Sequence, residues 1–249
     1  MKNILVEVCC GSADDVFVAA ASGAQRVELN SAMFLGGLTP SIGEVRVAKK
    51  AGIPIIAMVR PRQGGFCYTE KEYDTMVADA EALLNEGVDG IVFGILHPDG
   101  TVDKERCEPL AWMAKEKGCE AVFHRAIDVT PHWQRALDVL MELGFARVLT
   151  SGQCADVRDG TETVRAMREY ANGKLQILPG AGVTLANATR IVAETGCNQI
   201  HVLLDKTHSD PSTNAGRHIY FGGALYPPED VFSIADGEKL QKLREVLDK

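Results

Sequence analysis

The chain has 249 residues, 46% hydrophobic and 24% charged, with a formal net charge of −8. This is the composition of an ordinary globular domain with material for a large core, and the acidic balance argues against nucleic acid or an anionic membrane as partner. No stretch approaches the roughly 18 apolar residues of a membrane span, and the short apolar run after Lys2, broken by Glu7, is too brief for a secretory leader, so a cytoplasmic location is expected.

Eight short runs rich in Ile, Val and Leu alternate with helical stretches. The first, Ile4–Val8, is followed by Ser12 ahead of Asp14 and Asp15, a helix start that runs to Gly23. Arg26–Leu29 precedes Thr39-Pro40-Ser41, which opens a helix ending at Gly52. Pro54–Val59 leads to the capping-box spacing of Thr69 and Glu72 and a helix ending at Gly87. Gly90–Leu96, Glu120–His124 and Ala146–Thr150 come next, with Thr130-Pro131 as a further start signal and Gly118, Gly144 and Gly173 closing the helices. Leu175–Leu178 precedes Thr184 and a predicted helix over 185–194, closed by Gly196. Gln199–Leu204 is the last run; a polar stretch from Asp205 to Ala235 separates it from a final helix over 237–247.

Runs this apolar read as parallel strands buried on both faces. Eight strand-helix units without repeated sequence predict an α/β fold, a TIM (β/α)8 barrel forming a single domain over 1–249, with an insertion between the last strand and the last helix. Tyr220, Phe221, Leu225 and Tyr226 predict that the insertion is ordered, as a lid or as a face for a second copy, and a homo-oligomer is expected.

In such a barrel chemistry sits at the carboxyl ends of the strands. Glu7, Cys9, Cys10, Glu28, Asn30, Arg60, Arg62, His124, Arg125, Asp128, Ser151, Gln153 and His201 fall there. Helices cover the outside, so Glu7 and Glu28, each between apolar neighbours, are expected to point into the mouth, with Arg60, Arg62 and Arg125 as counter-ions. Two readings follow. One is a structural ring of ion pairs. The other is an enzyme acting on a small phosphorylated or carboxylated molecule, with Glu7, His124 and Asp128 moving protons, Asp128 orienting the imidazole. Glu28, Arg60, Arg62, Arg125 and His201 would then bind substrate, with Ser151, Gly180 and Gly182 cradling an anion beside a helix start. No organic cofactor is expected.

Seven scattered cysteines without zinc-ligand spacing predict free thiols. The segments Val8-Cys9-Cys10-Gly11-Ser12, Gly36-Gly37-Leu38-Thr39-Pro40-Ser41, Arg60-Pro61-Arg62, Gly65-Phe66-Cys67-Tyr68, Phe123-His124-Arg125-Ala126-Ile127-Asp128, Leu149-Thr150-Ser151-Gly152-Gln153 and Ala181-Gly182-Val183 together resemble the CutC family. That resemblance implies a TIM barrel, the cytoplasm and a role in copper homeostasis, with Cu(I) proposed as a ligand of cysteine-containing members. Cuprous ion prefers thiolate, which makes Cys9, Cys10 and Cys67 the candidate ligands. Adjacent residues of a regular strand face opposite ways, so Cys9 and Cys10 chelate one ion only if the strand has already ended or another chain contributes.

Overall fold

The apolar runs form the strands expected of them. The computed structural model describes residues 4–216, 218–222 and 228–248. Its strands β1 (Leu5–Cys10), β2 (Arg26–Leu29), β3 (Ile55–Met58), β4 (Gly90–Phe93), β5 (Glu120–Phe123), β6 (Arg147–Thr150), β7 (Gln176–Pro179) and β8 (Gln199–Val202) alternate with helices α1 (Ala13–Ala21), α2 (Ile42–Ala48), α3 (Glu70–Asn85), α4 (Lys104–Glu116), α5 (Trp133–Glu142), α6 (Val157–Ala171), α7 (Ala188–Thr195) and α8 (Gly237–Leu247). The ladder is parallel throughout and runs from β7 back to β1 and on to β8, giving a nearly closed (β/α)8 barrel.

Local signals act where the chemistry requires. Ser12 and Ser41 accept amide hydrogens at the starts of α1 and α2, and Thr69 and Glu72 form a reciprocal capping box on α3. Two helix starts fall later than the sequence suggests. After Thr130-Pro131, α5 begins at Trp133, and α7 begins at Ala188 because the Thr184 amide is drawn 2.7 Å to Asn187 Oδ1 in a turn.

Each strand sends alternate side chains to opposite faces. Val6, Val8, Cys10, Val27, Leu29, Ile91 and Phe93 face the helices and join the main core, whereas Ile56, Met58, Val92 and Val122 form a small cluster inside the barrel. The remaining interior is polar. Glu7 bonds Arg26, Arg26 reaches Gln199 at 3.0 Å, Gln199 donates to Gln176 at 3.2 Å, and Arg147 bonds Gln176 at 3.2 Å and Glu120. This chain of side chains spans β7 and β8, between which no ladder bond forms among the described residues. It closes the barrel through side chains where the backbone does not.

β9 (Asp205–Ser209) and β10 (Val231–Ala235) pair as an antiparallel ribbon, pinned where the Ala235 amide donates 2.6 Å to Asp15. Tyr220 and Phe221 stay exposed, at 45% and 78%, instead of packing on the barrel. Gly223, Leu225 and Tyr226 lie outside the described residues. Among the described residues no helix is long and apolar enough to cross a membrane.

Candidate functional site

A cavity of about 520 Å³ opens at the carboxyl ends of the strands. Cys9, Glu28, Arg60, His124, Arg125 and His201 supply its polar wall; Met58, Phe66, Leu149, Val183 and Leu203 supply its apolar one. Small residues make the room. A Cβ on Gly180 would stand 2.6 Å from Leu149 and 3.1 Å from His201 Cβ, and one on Gly94 would stand 2.5 Å from the His124 ring. Gly180 thus serves the histidine beside it and does not line the cavity; Gly182 does line it, at φ +80°, with the Asp156 carboxylate filling the space a side chain would need.

On the β1, β2 and β8 side, parallel register sets Cys9 beside Glu28 and Glu7 beside both Arg26 and His201. One ligand atom from each of Cys9, Glu28 and His201 lies within 4.8 Å of the others. Glu7 sits one layer lower, 2.8 Å from His201 Nδ1, and does not line the cavity. Burial would raise the Glu7 carboxyl, yet the bond to His201 and the Arg26 guanidinium win and hold it at about 2. Burial likewise opposes charge on His201, but Glu28, Cys9 and Glu7 together keep it protonated well above the usual imidazole range. Burial, aided by the Glu7 charge and resisted by His201, pushes Glu28 up, and burial pushes the Cys9 thiol up to about 11.

On the opposite side His124 is 4% exposed. Its Nδ1 accepts the Ala126 amide at 3.1 Å, while Nε2 is buried without a partner. Burial, then the charge of Arg60, holds its pKa at about 3, so the ring is neutral and its proton stands on Nε2. The unfolded histidine titrates near 6.5 and therefore binds a proton that the folded one refuses. Stability from this site is fully present above that value and falls as pH drops toward 3. Acid titrations followed by circular dichroism should show a shallower loss in His124→Phe than in the parent chain.

Several expected contacts are replaced by others. Asp128 does not orient His124: its carboxylate takes Arg125 Nε at 2.8 Å, Thr150 Oγ1 at 2.5 Å, Ser151 Oγ at 2.8 Å and the amides of Ser151 and Gln153, locking the loop after β6. Ser151 is wholly buried in that lock and does not line the cavity. The counter-ions of Glu7 are Arg26 and His201, and Glu28 has no arginine partner among the described residues. Arg62 turns away from the mouth to Glu72 at 2.5 Å and to the carbonyls of Gly65 and Cys67. Cys10 faces the helices, as alternation with Cys9 requires, and exposed Cys67 is outside the cavity lining, so neither joins Cys9. Arg26 and Gln199 support the site from below and are not among the residues expected there, although polar residues at every second place, Arg26, Glu28, Asn30 and Gln199, His201, mark the inward face.

The CutC family signature matches residues 4–205. A CutC family protein of Treponema denticola is 48% identical over 244 residues, covering 98% of each chain. The human copper homeostasis protein cutC homolog is 35% identical over 246 residues, covering 98% of this chain and 89% of its own. A crystal structure described as CutC from Streptococcus agalactiae superposes with a TM-score of 0.75 at 34% identity, covering 80% of this chain and 97% of that one.

Proposed function

The chain belongs to the CutC family, and from that premise we propose that it serves copper homeostasis in the cytoplasm by binding Cu(I) at the barrel mouth through Cys9 and His201, with Glu28 beside them. The observation that carries this reading is the convergence of those three side chains. A thiolate and a neutral imidazole are donors a cuprous ion accepts, so binding displaces one proton from Cys9 and one from His201, and a carboxylate adds charge where the cation would sit. Glu7 bonded to His201 Nδ1 is the support such a ligand needs, since it fixes the ring and leaves Nε2 for the ion. All seven cysteines are free thiols, in keeping with a reducing compartment.

This proposed donor set differs from the cysteine-only expectation, with His201 and Glu28 in the places of Cys10 and Cys67. Anaerobic titration of the reduced protein with Cu(I) against a competing chelator tests this. Cys9→Ser or His201→Ala should weaken binding by about 100-fold, the order of losses seen when metal-site groups are removed, while Cys10→Ser and Cys67→Ser should leave it unchanged. Equal affinity in Cys9→Ser and the parent chain overturns the assignment.

A further inference from the structure

Arg60 is a buried cation with no carboxylate. It is 7% exposed, and among the described residues it makes no ion pair. Its Nη1 donates to the carbonyls of Leu35, Gly36 and Gly37 at 3.2, 3.1 and 3.0 Å, and its Nη2 to Gly64 at 2.9 Å. Carbonyl dipoles stabilise a guanidinium without neutralising it, and Nε is the one nitrogen of the fork that is buried with no acceptor in hydrogen-bond reach, the neighbouring Tyr68 hydroxyl being likewise unpaired. His124 Nε2 is in the same condition. Both residues line the same cavity, and both pack on one ring: Phe66 lies 4.7 Å from the imidazole, centre to centre, and the guanidinium carbon stands 5.5 Å from the Phe66 centroid.

Two orphaned N–H donors in a dry wall each cost about 1–3 kcal/mol, and the structural bonds of these residues, Arg60 to the loop carbonyls and His124 to the Ala126 amide, use neither of them. The helix-facing positions show what packing alone selects, since they are filled by Val, Leu, Ile and Phe. We propose that Arg60 and His124 form a receptor for the carboxylate of a small organic acid, which supplies the missing counter-charge and accepts from Arg60 Nε and His124 Nε2, one oxygen each. Two free donors match the two oxygens of a carboxylate better than the three of a phosphoryl group. The rest of the cavity fits a short aliphatic body, for Met58, Leu149, Val183 and Leu203 line it. Neither nitrogen is open to solvent, so the acid reaches them by displacing the Phe66 ring, which belongs to the loop between β3 and α3 and is only half-buried. This receptor shares the cavity with Cys9, Glu28 and His201 but none of those side chains, and it stands whether or not copper binds.

The test uses the full chain without added metal, ¹⁵N-labelled at histidine, titrated separately with pyruvate, succinate and inorganic phosphate. Pyruvate or succinate should move the His124 Nε2–H proton downfield and raise the melting temperature; phosphate should do neither. His124→Phe removes one unsatisfied buried donor but also the acceptor of the Ala126 amide, so its fold is checked by circular dichroism against the parent, and it should bind the responding acid at least tenfold more weakly. Arg60→Lys, which keeps the charge and loses the fork, should also weaken it. A resonance unmoved by either acid, equal affinity in His124→Phe, or a response to phosphate alone overturns the proposal.

Discussion

Replacing Glu7 with alanine is expected to lower the free energy of unfolding by about 3–5 kcal/mol, the cost of stranding a buried charge. The side chain is 2% exposed and touches two cations, Arg26 and His201, themselves 7% and 8% exposed. Alanine leaves Arg26 with Gln199 alone among the described residues and leaves His201 facing Cys9 and Glu28 without its Nδ1 acceptor. The pH profile carries the same signature. The Glu7 carboxyl is held at about 2 against an unperturbed 4.5, so its contribution is complete above 4.5 and is lost as pH falls toward 2. His201 is shifted upward, so its contribution is complete below 6.5 and is lost as pH climbs through the raised value. Because the His124 contribution also falls below 6.5, urea unfolding of the parent should be most resistant near pH 6.5, where all three contributions are complete, and Glu7→Ala should flatten the profile on both sides. Exchanging Glu7 and Arg26 together for methionine should recover part of the loss, because it strands only His201. A single-variant loss below 1 kcal/mol would show that the pair carries little.

Gly160→Ala is expected to destabilise by about 1–3 kcal/mol, the range for a methyl group forced into a filled space, although alanine in a helix interior ordinarily gains about 1 kcal/mol over glycine. The sign is decided by what lies beside it. Gly160 is buried within α6, and a Cβ there would collide with the Ser151 carbonyl oxygen and stand 3.0 Å from Gly152 Cα. Those are backbone atoms and cannot swing aside. Gly152 holds φ +74°, which denies that segment an alternative path. The loop behind it carries the Asp128 bonds that position Arg125 on the cavity wall, so the damage should reach the mouth. Thermal melts of Gly160→Ala, with Gly43→Ala at an exposed position of α2 as comparison, check this; a stabilised Gly160→Ala would refute the close approach.

Much of the mouth was legible one strand at a time. Glu28, Arg60, His124, Arg125 and His201 line one cavity, as their places at strand ends suggested. Cys9 and Cys10 could be separated by alternation alone, and His201 stood on a strand whose inward positions were polar. What was not legible was height. Arg26 opens its strand and Glu7 lies in the middle of another, yet the stagger of parallel strands sets them side by side. Arg62 and Asp128 belonged to the right loops, but short contacts with Glu72 and with the loop after β6 claim them first.

The order of elements and the inward face of each strand follow from the chain itself, because burial against a helical shell demands apolar residues at every second position and a glycine takes the left-handed conformation that closes a helix at little cost. Partners across the barrel are another matter. They depend on the register between strands that are far apart in the chain, and a shift of one residue would turn each pair of neighbours to opposite faces. Only the folded barrel decides that Glu7 meets His201, that Cys9 meets Glu28, and that Arg60 and His124 are left with hydrogens to give.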